Sequence, residues 1–152
     1  MPLRERINEG LKTAMREKDA TRLSTLRLIS AAIKDQDINA RAKGNSDGVS
    51  EAEVLAILGK MVKQRQESAR AYEEGGRLEL AEKEREEIAV IEDYLPRQLS
   101  EEEVARAVDD AIAATGADSI RDMGRVMGVL KSKHTGQMDF GAVGPRVRER
   151  LS

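Results

Sequence analysis

The eight residues Asp93-Tyr94-Leu95-Pro96-Arg97-Gln98-Leu99-Ser100 constrain this chain more than any other stretch. A strongly helical, charged segment precedes them. Pro96 has no backbone N–H to donate and drives Leu95 out of helical geometry, so a helix must stop here. Ser100-Glu101-Glu102-Glu103 then reads as a capping box. The serine hydroxyl oxygen accepts from a free backbone N–H, and the Glu103 carboxylate accepts from the serine N–H. A helix stop, a joint and a helix start this close together predict a hinge. The expected architecture is all-α, with an N-terminal four-helix domain over residues 1–96 and a smaller C-terminal three-helix domain over residues 97–152.

Composition supports helices and removes several chemistries. Hydrophobic residues are 39% and charged residues 36% of the chain, enough apolar surface for a modest core. With no Trp, one Phe and two Tyr, that core must be aliphatic. No run of alternating apolar residues suggests a strand. The absence of Cys excludes disulfides, thiolate metal sites and a cysteine nucleophile. His134 is the only histidine, which excludes multi-histidine metal sites, and it is expected to be a solvated loop residue. Neither a GxxxxGK[ST] loop nor GxGxxG is present. No stretch reaches the ~18 apolar residues of a membrane span. The opening Met1-Pro2-Leu3-Arg4-Glu5-Arg6 lacks the apolar run of a signal peptide. A cytoplasmic protein, more readily monomeric than not and without metal or cofactor, is the expectation.

Taken in order, the first helix runs from Pro2 to Lys18 with Leu3, Ile7, Leu11 and Met15 on one row, weakened by Gly10. Asp19 caps a second helix to Ala42, striped by Leu23, Leu26, Ile29, Ala32 and Ile33. Leu28 lies off that stripe, so this helix is expected to contact partners on more than one side. Ser50 with Glu53 opens the third, and Gly75-Gly76 closes it. The fourth continues to Leu95. After the hinge, a helix over Glu101–Thr115 buries Val104, Ala105, Val108 and Ile112. Ser119 with Asp122 caps a sixth helix carrying Ile120, Met123, Val126, Met127 and Leu130. Asp139 caps the last, where Gly144-Pro145 predicts a kink or a start delayed to Pro145.

Two clusters stand out as candidate sites. Counting outward from Gly75-Gly76 sets Arg65 level with Glu84, and these two are expected to face each other. They form either an ion pair fixing the register of the hairpin or part of a polar site with Lys63, Gln64, Ser68 and Tyr72. Gly124 and Gly128 lie four apart on one helical face, where each costs about 1 kcal/mol relative to alanine. That cost predicts a close approach on this face by another helix or by a ligand. The charge balance changes nearby: residues 121–152 hold seven basic and three acidic side chains in a chain of net charge −2. On residue chemistry alone, a binding module outranks an enzyme.

The order of motifs then matters. Lys63-Gln64-Arg65-Gln66-Glu67-Ser68, Tyr72, Gly76-Arg77, Tyr94-Leu95-Pro96 and Asp122-Met123-Gly124-Arg125-Val126-Met127-Gly128 together resemble the YqeY family. That family is similar to the C-terminal tail of GatB, a subunit of the glutamine-dependent aminoacyl-tRNA amidotransferase. The resemblance implies a two-domain helical fold and a tRNA-contacting role without the catalytic part. By analogy the contacts would come from Arg121, Gly124, Arg125, Gly128, Lys131 and Lys133, with tRNA or a tRNA-processing protein as partner. The alternatives are a carbon–nitrogen ligase with glutamine as amide donor, built on the Arg65 cluster, and a protein–protein adaptor using the acidic middle helices.

Overall fold

The computed structural model describes residues 2–152. Seven α-helices and no strand occur among the described residues. They are α1 (Leu3–Glu17), α2 (Ala20–Ala42), α3 (Glu51–Glu74), α4 (Leu78–Glu92), α5 (Glu101–Thr115), α6 (Met123–Lys133) and α7 (Phe140–Leu151). The chain divides into two compact units, Met1–Pro96 and Arg97–Ser152.

In the first unit, α1 and α2 form one hairpin and α3 and α4 another. Lys18 makes the first turn in left-handed geometry, φ 56°, and Asp19 caps α2 by accepting from the Arg22 N–H. Ser50 and Glu53 complete the capping box of α3 in both directions. The core gathers Ile7, Leu26, Ile29, Val54, Leu58 and Ile91, each at most 1% exposed. Tyr94 closes the unit at one end, with the Arg6 guanidinium 5.4 Å from its ring centre. A Cβ at Gly10 would lie 2.0 Å from the Tyr94 hydroxyl, so the glycine in α1 is what lets the tyrosine pack there. At another point the loop before α3 is locked by Asp37. Its carboxylate takes two bonds from Arg4, at 2.6 and 2.8 Å, and one from the Val49 N–H at 2.9 Å. Arg4 also donates to the Val49 carbonyl. The Arg4 guanidinium, then the Val49 N–H, hold the Asp37 carboxyl well below the usual aspartate range.

The second unit packs α5, α6 and α7 around Val108, Val126, Leu130 and Val147. Ser100 and Glu103 form their capping box, and Gly116 ends α5 at φ 65°. The residues ahead of α5 are tied to the α6–α7 loop. The Leu99 N–H donates to the Gln137 carbonyl, the Gln98 side chain to the Gly136 carbonyl, and the Gln137 side chain to the Arg97 carbonyl.

Several expectations are corrected. Met15 is 57% exposed and Leu28 47%, so neither is core. The α4 helix ends at Glu92 rather than Leu95, closing through turn bonds from Tyr94 and Leu95. Ala107 and Ala111 are buried where Ala105 is exposed. Ser119 makes no side-chain cap; a 3-10 turn, Ile120–Asp122, precedes α6 and leaves Ile120 49% exposed. The α7 helix starts at Phe140, capped by Asp139 as expected, so its start is not delayed to Pro145, which lies within it. His134 is half-buried, its Nδ1 3.1 Å from the Gln137 Oε1.

Candidate nucleic-acid interface

The six residues marked out around Gly124 fall on the 3-10 turn and α6. Val126 and Leu130 fix the rotation of α6, since both are buried at 0% and 1%. That rotation turns Gly124 and Gly128 outward. A Cβ built on either would meet nothing within 4 Å. The expected close approach of another helix is therefore absent in the second unit, because the apolar stripe of α6 lies on its other side. What remains is a strip of bare backbone.

The charges around the strip divide into two groups. Arg125 is committed: it donates to Asp122 at 2.6 Å and to the Thr115 carbonyl at 3.2 Å. Asp122 is held in turn by the Asp118 N–H, and Arg125 followed by that N–H lowers the Asp122 carboxyl below its ordinary range. This network ties the start of α6 to the end of α5. Arg121, Lys131 and Lys133 are exposed and form no ion pair among the described residues. On α7, Arg146 and Arg150 are taken by Glu101 and Asp109, whereas Arg148 forms no ion pair among the described residues. Sequence reasoning did not single out Arg148, although it lies in the same basic segment.

In the second cluster the ion pair is not the expected one. Arg65 pairs with Glu87 at 2.9 Å, not with Glu84, and also donates to the Met61 carbonyl. The reason is the turn. Arg77 belongs to it as well as Gly75 and Gly76, and α4 begins only at Leu78. Arg65 is nine residues before the end of α3 at Glu74, and Glu87 is nine after Leu78, so these two are level. Both side chains are mostly buried, 15% and 13% exposed. Ser68, Tyr72 and Glu84 are half-buried, whereas Lys63 and Gln64 are exposed. No group of three or more His, Cys, Asp or Glu able to hold a metal occurs among the described residues. An open cleft between α1 and α2, beside Arg4 and Asp37, measures about 210 Å³. That is below the roughly 300–1,000 Å³ of small-molecule sites.

The model of the YqeY-like protein family matches residues 4–151. The chain belongs to the YqeY-like family. Its relatives include proteins named altered inheritance of mitochondria protein 41, mitochondrial. The protein from Eremothecium gossypii is 36% identical over 104 residues, covering 66% of this chain and 55% of the relative. That from Clavispora lusitaniae is 38% identical over 89 residues, covering 59% and 49%. That from Kluyveromyces lactis is 32% identical over 105 residues, covering 67% and 55%. The chain spans about half the length of the curated relatives it matches. The expectation of a cytoplasmic location is overturned by these names, which describe mitochondrial proteins.

Proposed function

We propose that this YqeY-like chain is a non-catalytic helical module that binds tRNA, or a tRNA-processing partner such as an amidotransferase, through the outer face of α6. In this reading the two compact units are separate domains, and the second carries the contact. One observation carries the proposal: Gly124 and Gly128 leave open backbone on a helix that gains nothing structural from them. Two glycines in a helix cost about 1 kcal/mol each relative to alanine. Without a side chain, phosphate reaches closer to the helix. Arg121, Lys131 and Lys133 supply exposed positive charge along the same element, and Arg125 holds its start in place. The non-catalytic part of the reading is supported by the α3–α4 cluster, where Arg65 is already committed to Glu87 and Met61.

The test is a titration of bulk tRNA into the purified chain across a range of salt. Micromolar binding with a clear salt slope is expected. Lys131→Glu with Lys133→Glu should weaken it and flatten the log–log slope by about 2, as loss of two phosphate contacts requires. No binding at low salt, or an unchanged slope in the double variant, overturns the assignment.

A further inference from the structure

The α2 helix has two apolar sides, and only one is used. Leu26, Ile29 and Ile33 are buried in the first unit, at 0%, 0% and 6% exposure. At about 100° per residue, Leu28, Ala31, Ile38 and Ala42 fall on a second stripe roughly opposite the first. All four are exposed, Leu28 at 47% and Ile38 at 56%. Their spacing of three, then seven, then four residues keeps them on one seam, the pattern by which a helix receives another helix.

A row of positive charge borders that seam. Arg27, Lys34 and Arg41 recur every seven residues, about 10 Å apart along the axis, on one flank of the stripe. All three are exposed. Arg27 and Lys34 form no ion pair among the described residues, and Arg41 makes a single long bond to the Ser46 carbonyl. Asp35 is the one carboxylate set into the seam; the nearby Asp37 is turned inward to Arg4. Leucine and isoleucine beside a row of cations select an occupant that is itself amphipathic and carries carboxylates along one edge.

We infer that the outer face of α2 is a docking surface for an acidic amphipathic helix of a partner protein. Its leucine-like side chains would cover Leu28, Ala31 and Ile38, and its carboxylates would lie along Arg27, Lys34 and Arg41. The surface belongs to the first unit and is independent of the contact proposed on α6.

The experiment uses the full chain and two labelled synthetic peptides of about three heptads with leucine at the core positions. One carries Glu at the flanking positions and the other Lys; binding is followed by fluorescence anisotropy. The Glu peptide should bind and the Lys peptide should not. Leu28→Ser with Ile38→Ser, and Arg27→Glu with Lys34→Glu and Arg41→Glu, should each weaken the Glu peptide by about tenfold or more. The circular dichroism and melting temperature should stay unchanged, since the substituted residues are exposed. The inference is overturned if both peptides bind equally, if the Glu peptide fails to bind at about 100 µM, or if Leu28→Ser with Ile38→Ser leaves binding intact. Self-association of the chain that disappears in that same variant also overturns it, because the occupant is then a second copy.

Discussion

Gly10 in α1 and the pair Gly124 and Gly128 in α6 are the same residue in the same kind of position, and the structure gives them opposite meanings. At Gly10 the space is occupied: the Tyr94 hydroxyl lies where a Cβ would be. At Gly124 and Gly128 it is empty. The helix penalty of glycine is offset in the first case by packing within the unit. In the second nothing in the unit offsets it. Gly59 in α3 is equally open, so the contrast with Gly10 lies in what covers the glycine, and it is the cations beside Gly124 and Gly128 that set α6 apart.

The largest effect should come from filling the occupied space. Gly10→Ala should destabilise the first unit by about 3 kcal/mol through overpacking, despite a helix-propensity gain of about 1 kcal/mol. Urea denaturation reads this directly. Tyr94→Phe in the same chain should recover part of the loss, the ring Cζ still lying 3.2 Å from the new Cβ. An unchanged midpoint in Gly10→Ala would mean that the tyrosine does not cover the glycine and would dissolve the contrast.

Gly48 sharpens the same side of the comparison. It combines a φ of +79° with a Cβ position 2.4 Å from the Asp37 Oδ1. Gly48→Ala should therefore cost about 2 kcal/mol in the same assay. Asp37→Asn should cost somewhat less, about 1–2 kcal/mol, because one charge-assisted bond set is weakened while the shape is kept. Here pH supplies a second reading. The Asp37 carboxyl is lowered in the folded chain, so the unfolded chain binds more protons in acid. Its contribution is present above the ordinary aspartate value of 3.8 and is lost progressively as pH falls below it. Asp37→Asn should flatten that part of the stability–pH curve, and an identical curve would count against the Arg4–Asp37 lock.

The smallest effect has the opposite sign. Gly124→Ala and Gly128→Ala should each stabilise the second unit by about 1 kcal/mol or less. If α6 meets a phosphate backbone, the same pair should weaken tRNA binding while raising the melting temperature. A variant more stable and equally able to bind would leave the open strip without a role.

How much of this was legible in the residue order depends on the range of the interaction involved. Helix starts at Asp19, Ser50, Ser100 and Asp139 were readable, since each cap bonds within three residues of itself. The stop at Pro96 was readable only to within a few residues, because α4 closes through turn bonds at Tyr94 and Leu95 before the proline is reached. Ser119 misled because its serine and Asp122 pattern matches a cap, whereas Asp122 is drawn to Arg125 and the Asp118 N–H. Basic residues in the last segment were legible as a group, but pairing removed Arg125, Arg146 and Arg150 from the available set.

What the sequence determined by itself is the set of helices and the caps at Asp19, Ser50, Ser100 and Asp139, because those rest on bonds between near neighbours and on a repeating apolar pattern. Only the tertiary structure decided that Arg65 meets Glu87, that Gly10 receives Tyr94, that Gly124 and Gly128 remain uncovered, and that α2 keeps a second apolar side exposed. Each of these depends on the rotation and axial offset of one helix against another. A one-residue change in the turn between α3 and α4 moves the facing position by about 1.5 Å and turns it by about 100°, and no local pattern of residues specifies that offset.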